Sequence, residues 1–225
     1  MKFLALGLAL AVVATSALAA DNALTPAEEK AGWKLLFDGK TTAGWRGFKM
    51  PAPDAGWTAK GELSPDSKTS KDIMTKDSFE NFELSFEWKV GPKGNTGVMF
   101  HVTEAGEETY HSGPEYQLVD NARGEPPREQ AGALYALYAP ENAQPKPVGE
   151  FNQSRLLVDH GKVEHWLNGV KVAAYDMNSA NFKARVAASK FNAWPTFAAS
   201  PTGHIALQNH GDPVAFRSLK IRVLK

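Results

Sequence analysis

The sequence predicts an all-β fold, a two-sheet antiparallel β-sandwich. The chain breaks into roughly a dozen short alternating or apolar runs, separated by Gly, Pro, Asn and Asp. Its cleanest run sets Phe82, Leu84, Phe86 and Trp88 against Glu83, Ser85, Glu87 and Lys89, the period of a strand with one buried face. Around Asn168-Gly169, residues Lys162 to Tyr175 read as a hairpin, because this dipeptide tolerates the positive φ angles that a two-residue turn demands.

From the N-terminus, Met1-Lys2 is followed by an apolar stretch from Phe3 to Val13 and by Ala17-Leu18-Ala19, small residues that suit a signal peptidase. Residues 1–20 therefore read as a cleaved signal peptide, and no cysteine follows to carry a lipid anchor. Residues 21–225 read as one secreted or periplasmic domain, with no later run long and apolar enough to span a membrane. One short helix is expected from Thr25 to Lys34, with Thr25 as cap, Pro26 in the first turn and Glu28-Glu29 beside it.

Strands follow at Trp33–Phe37, Trp57–Lys60, Asp72–Thr75, Phe82–Val90, Gly97–Val102 and Glu115–Val119. Six more are expected at Ala133–Tyr138, Phe151–Asp159, Lys162–Leu167, Val170–Tyr175, His204–Gln208 and Phe216–Val223. The polar or Pro-rich stretches 105–112, 123–130 and 140–150 read as loops, and 178–202 carries no clear pattern.

Composition narrows the function. Lys plus Arg equals Asp plus Glu at 25 each, so the chain has no electrostatic footprint for nucleic acid. The absence of cysteine removes disulfides, thiolate metal sites and cysteine nucleophiles. Six Trp and five Tyr in a neutral, secreted chain suit a neutral hydroxylated ligand, because aromatic faces stack on the C–H surfaces of sugars.

Three strands carry a polar face. Glu115 and Gln117 stand side by side on theirs, opposite Tyr116 and Leu118. Gly97, Met99 and His101 share a face, with Val98, Phe100 and Val102 inward. His204, Ala206, Gln208 and His210 share another, with Ile205 and Leu207 inward. If these strands lie in one sheet, its face gathers His101, Glu115, Gln117, Gln208 and His210. Such a set can bind hydroxyls, perform acid–base chemistry or hold a divalent cation. Trp194, beside Pro195 in a loop, is the candidate stacking platform. Tyr135 and Tyr138 fall on opposite faces, so one can reach a ligand, and Tyr138 is assigned that role. His165 shares a face with Val163 and Leu167, the pattern of a core histidine.

No P-loop, Gly-x-Gly-x-x-Gly, His-Glu-x-x-His or Gly-x-Ser-x-Gly is present, and no organic cofactor is expected. The Glu-x-Asp-x-x-Glu strand that carries acid and nucleophile in sandwich-fold glucanases is also missing. This argues against ordinary two-carboxylate glycoside hydrolysis: Glu115 is the one carboxylate placed on the polar face, with Asp120 and Asp212 as candidate helpers at strand ends.

Six segments in order complete the reading. They are Gly32–Lys40 with Gly44-Trp45, Gly94–Phe100, Gly113–Asn121, Gly132–Tyr135, Val163–Gly169 and Gly203–Gly211. Together they resemble the 3-keto-disaccharide hydrolase family from about Gly32 to the C-terminus. That resemblance implies a jelly-roll sandwich of the concanavalin A-like lectin/glucanase type. It implies an enzyme that cleaves glycosides already oxidised at C3, with a small sugar as substrate. A ketone at C3 acidifies the C2 proton. A base can then remove it, the glycosidic oxygen leaves by β-elimination, and water adds back. On this reading Glu115 or a nearby histidine is the base, and His210 or His165 the acid. His101, Gln117, Tyr138, Gln208 and Trp194 bind substrate, and a divalent cation could hold the enediolate oxygens. The competing reading is a non-catalytic, lectin-like carbohydrate-binding module, since sandwiches host both.

Overall fold

A computed structural model of the protein describes residues 20–66 and 69–225. The expected signal peptide, apart from Ala20, lies outside the described residues. The first described element is the helix α1 (Pro26–Lys30). Thr25 and Glu28 form a reciprocal capping box, in which Thr25 N donates to Glu28 Oε2 at 2.9 Å and Glu28 N to Thr25 Oγ1 at 3.2 Å. The helix stops four residues earlier than its sequence pattern suggests, because Gly32 takes a left-handed φ of +85° and Trp33 joins a sheet.

Thirteen strands occur among the described residues. They are β1 (Trp33–Leu35), β2 (Trp45–Gly47), β3 (Trp57–Ala59), β4 (Leu63–Pro65), β5 (Ile73–Thr75), β6 (Phe82–Val90) and β7 (Asn95–Val102). They continue as β8 (Glu115–Val119), β9 (Asn152–Asp159), β10 (Lys162–Leu167), β11 (Val170–Asp176), β12 (His204–Leu207) and β13 (Val214–Val223). All pairings are antiparallel. The larger sheet runs β11-β10-β9-β6-β13-β4-β3, with β1 also on β13, and the smaller runs β2-β5-β12-β7-β8. This is the two-sheet sandwich that the sequence predicts.

Between the sheets, Phe82, Leu84, Phe86 and Trp88 of β6 meet Val98 and Phe100 of β7, Tyr116 and Leu118 of β8, and Ile205 and Leu207 of β12. Each such side chain is essentially inaccessible, and burying one contributes about 1.5–3 kcal/mol. The outer face of the larger sheet is closed by ion pairs. Glu83 meets Arg155 at 2.8 Å and also Arg222, Glu87 meets Arg217 at 2.6 Å, and Glu164 meets Lys171 at 3.0 Å.

The outer face of the smaller sheet differs. Phe48, Met74, Met99, Val102 and Ala206 form a second apolar cluster there, capped by Tyr110 from the loop above. The rest of that face is polar.

Two expected elements come out differently. Residues 133–138 form tight turns rather than a strand. They clamp the edge of β8, where Gln117 N donates to Ala133 O and Tyr135 N to Glu115 O, each at 3.0 Å. Residues 178–202 contain a second helix, α2 (Ala180–Ala187), capped by Ser179 Oγ, and a 3-10 turn at Lys190–Ala193 capped by Ser189 Oγ. Among the described residues no helix is long and apolar enough to cross a membrane.

Candidate active site

The polar half of the smaller sheet's outer face is built by register. Gly97 of β7 lies opposite Gln117 of β8, Met99 lies opposite Glu115, and Gln208 N donates to Gly97 O at 3.0 Å. Gln117, Gly97 and Gln208 therefore form one row across three strands. Gly97 leaves that row open at its centre, and the Glu115 side chain lies across it. A methyl group placed on Gly97 would come within 2.0 Å of Glu115 Oε1. Only glycine at this position lets the carboxyl group cross the sheet.

Above this floor is a cavity of about 360 Å³, within the usual size range of small-ligand sites. Its base is Glu115, Gln117, Gln208 and Asn95. Tyr110, Phe191 and Trp194 form an aromatic wall, and Tyr135, Lys190 and His210 complete the lining. The Trp194 ring stacks on His111 at 4.5 Å and meets Tyr110 edge-on at 5.5 Å.

Three buried acceptors around the carboxyl group have no protein partner: Asn95 Oδ1, Gln117 Oε1 and Gln208 Oε1. The orientation of Gln117 is set by its other end, since Nε2 donates to Glu129 O at 3.1 Å. Buried acceptors are costly when unpaired, so such a cluster is a candidate place for a ligand's hydroxyl donors.

The electrostatics centre on Glu115. Burial, with added repulsion from the Asp72 carboxylate, pushes its pKa up to about 8, while the charge of Lys190 opposes the shift. Asp72 sits just before β5, where it accepts from Thr109 Oγ1 and from Asn209 N at 2.9 Å. Burial raises its pKa as well. Tyr135 is pushed up to about 12, first by burial and then by Glu129 and Glu115, so it stays a phenol. His210 stands exposed at the rim with Nδ1 3.6 Å from Asp212 Oδ2, and Asp212 also accepts from Asn95 N at 3.1 Å.

The structure thus brings together Glu115, Gln117, Gln208, His210 and Trp194. It places three other sequence candidates elsewhere. His101 does not join the site because a β-bulge reverses the alternation of β7. His204 pairs with Val102 but Ala206 pairs with Met99, and His101 absorbs the extra residue at φ +53°. Val102 moves to the outer face, and His101 turns inward between Phe82 and Phe100, its Nε2 donating to Glu80 O at 2.8 Å.

His165 is the core histidine of its pattern and not a site acid. It is fully buried, stacked on Tyr116 at 4.4 Å, with Nδ1 donating to Gly132 O and Nε2 accepting from Tyr175 Oη. Burial lowers its pKa to about 4, so near neutral pH it is an uncharged imidazole, its one N–H held by Gly132 O.

Tyr138 points away from the cavity, its hydroxyl donating to Asn181 Oδ1 at 2.7 Å and its ring stacked on Tyr175. Tyr135, the other member of that pair, lines the site. Lys190, Asn95, Tyr110 and Phe191 were not singled out by sequence reasoning. Ser189 immediately before Lys190, a capping residue type, was the local signal for an ordered turn there.

For a divalent cation the donor set is thin. Among the described residues no three His, Asp or Glu side chains cluster, and the cavity base offers one carboxyl group and amide oxygens. The residues do not form a metal centre, and the chemistry proposed below uses none.

A β-sandwich with a polar row and an aromatic wall on one sheet is the architecture of carbohydrate-active proteins. The chain belongs to the 3-keto-alpha-glucoside-1,2-lyase-like domain family, whose profile matches residues 32–222. It is 31% identical to the 3-keto-disaccharide hydrolase of Bacteroides thetaiotaomicron, over 86% of this chain and 79% of that one. A crystal structure from Parabacteroides distasonis, named as a candidate glycosyl hydrolase, superposes with a TM-score of 0.86 at 36% identity, covering 92% of this chain and all of that one. The fold alone is also that of a carbohydrate-binding module from Bacillus subtilis, with a TM-score of 0.50 at 13% identity over 79% of this chain and 94% of the module.

Proposed function

We propose that this protein is a hydrolase of 3-keto-glycosides, 3-keto-disaccharides among them, exported on the signal peptide read in residues 1–20 and working in the periplasm or outside the cell. One observation carries the reaction type: a single buried carboxyl group, Glu115, with its pKa raised to about 8, at the centre of a cavity whose other basal groups are uncharged amides. A displacement at C1 needs a second, opposed carboxylate. Removal of an acidified C–H proton needs one strong base, and a desolvated carboxylate is a stronger base than an ordinary one.

In this reading ionised Glu115 takes the C2 proton. The C–H electron pair forms the C1=C2 bond by way of the C3 enolate, and the C1–O bond to the aglycone breaks. The departing oxygen takes a proton at the rim, where His210 stands beside Asp212. Water then adds at C1 and its released proton restores the one given at the rim, while Glu115, its proton exchanged with solvent, protonates C2, so the net reaction is hydrolysis and the base is regenerated. Gln117, Gln208 and Asn95 accept hydrogen bonds from the sugar hydroxyls, and Trp194 and Tyr110 present faces to its C–H surface.

Incubation in D2O with 3-keto-trehalose or 3-keto-lactose, beside the unoxidised sugars and with and without chelator, tests this. Cleavage is expected only of the keto sugars, with deuterium appearing at C2 of the product. Glu115→Gln is expected to be at least about 1,000-fold slower. Equal cleavage of unoxidised sugar, or binding without cleavage of either, would overturn the proposal.

A further inference from the structure

Removal of the C2 proton leaves a full negative charge on the oxygen at C3, and that oxygen needs a donor. Gln117 cannot supply it, because its Nε2 turns to Glu129 O and it presents Oε1, and the floor groups other than Glu115 are uncharged amides. Of the residues that line the cavity, only Lys190 carries a permanent positive charge. Its Nζ lies 3.3 Å from Tyr135 Oη and 4.4 Å from the centre of the Tyr135 ring, so the ammonium group is held against the cavity wall. Tyr135 is tied in turn to the base, since its backbone N donates to Glu115 O at 3.0 Å. No carboxylate forms an ion pair with Lys190 among the described residues, so its charge is free for a ligand.

Building on the reaction proposed above, we infer that Lys190 is a catalytic residue: its ammonium group, backed by Tyr135, hydrogen-bonds the substrate's C3 oxygen and neutralises the charge that oxygen gains as Glu115 takes the C2 proton. The C–H pair moves into C2–C3, the C3=O π pair moves onto oxygen, and no proton leaves Lys190 in the step. When the enolate collapses to expel the aglycone, the C3=O bond reforms and the lysine is unchanged. The same charge lies close enough to Glu115 to oppose the rise in its pKa, which couples the two groups.

Lys190→Met, Lys190→Arg and Glu115→Gln, assayed together on a 3-keto-disaccharide across pH, test the assignment. Lys190→Met is expected to lower kcat by about 100–1,000-fold, the usual effect of losing one donor to a developing oxyanion. It should leave KM within a few-fold and shift the rising limb of the pH profile to higher pH. Lys190→Arg should recover at least tenfold of the loss. A kcat within threefold of wild type in Lys190→Met would overturn the assignment, as would a moved pH limb with no loss of limiting rate. So would a borohydride-trapped substrate adduct on Lys190, which would mean imine chemistry. Full activity in Glu115→Gln would remove the base and leave Lys190 standing. If wild type cleaves no keto sugar, titration with L-ascorbate, a stable sugar-derived enolate, decides the matter. Binding at least tenfold weaker in Lys190→Met upholds charge recognition by Lys190, and equal binding refutes it.

Discussion

Glu115 joins function and instability in one side chain. Its pKa is about 8 in the fold and near the ordinary carboxylate value when unfolded. Between those values the folded protein binds more protons than the unfolded chain, so stability falls as pH rises through this window. Above pH 8 the folded state carries a buried charge with no ion-pair partner. Glu115→Gln keeps the shape, and Gly97 still leaves room for it, but the charge is gone. We expect the variant to be inactive yet more stable than wild type at pH 9, by up to about 4 kcal/mol, with the difference shrinking toward zero at pH 5. Urea unfolding at the two pH values checks this, and equal stability at pH 9 would mean that the carboxyl group is well solvated. Wild-type kcat/KM should rise about tenfold per pH unit below 8 and then level off. The opposite limb would make Glu115 the acid. The pairing of Glu115 with Gln117 was legible in the sequence, because strand alternation puts both on one face. The raised pKa was not, because it depends first on burial by segments distant in sequence and then on Asp72, which reaches the neighbourhood from just before β5, 43 positions away.

Among the elements, strands with clean alternation were read directly, and each misplacement has a local cause. His101 turns inward because one extra residue in β7 reverses a two-residue period, and no pattern within Gly97–Val102 announces that. Residues 133–138 alternate like a strand, yet Ala136 takes φ +61° and the chain folds back on itself. Residues 178–202 hide Lys190 because α2 buries only Phe182, so the apolar face is too narrow to set a period. Short segments of this kind are held by their caps. Ser179 Oγ accepts from Phe182 N at 3.1 Å in α2, and Ser189 Oγ accepts from Phe191 N at 3.2 Å in the turn that carries Lys190. Ser179→Ala and Ser189→Ala should each cost about 1 kcal/mol of stability. Only Ser189→Ala should also lower kcat, by about three- to tenfold, since a displacement of under an ångström at Lys190 weakens an oxyanion contact. Thermal melts and initial rates on the pair separate the two effects. Equal rates would show that the turn is held by Phe191 and Trp194 packing rather than by its cap.

Across the whole molecule, the two sheets divide the work. The larger satisfies its charges internally on its outer face, while the smaller carries buried, unpaired acceptors and a raised carboxyl on its own. A buried chain of polar groups joins them through the strand that carries the base. Trp88 Nε1 donates to Ser154 Oγ at 2.9 Å, Ser154 Oγ donates to Tyr116 Oη at 3.1 Å, and Tyr116 Oη donates to Trp166 O at 3.0 Å. Tyr116 thus holds β8 to the larger sheet from inside, while its neighbours Glu115 and Gln117 work outside. Tyr116→Phe keeps the ring in its stack on His165 but removes the acceptor of the Ser154 hydroxyl proton and the donor to Trp166 O. Ser154 Oγ still accepts from Trp88 Nε1, so the change costs about 1–3 kcal/mol for buried groups that lose a partner. If stability resides between the sheets and function on the outer face, this variant should lose that stability while its kcat per folded molecule stays within twofold of wild type. That is the reverse of Glu115→Gln, which gains stability and loses turnover. A large fall in kcat at a temperature where Tyr116→Phe is fully folded would show instead that the inter-sheet chain sets the position of Glu115, and the division between the two faces would not hold.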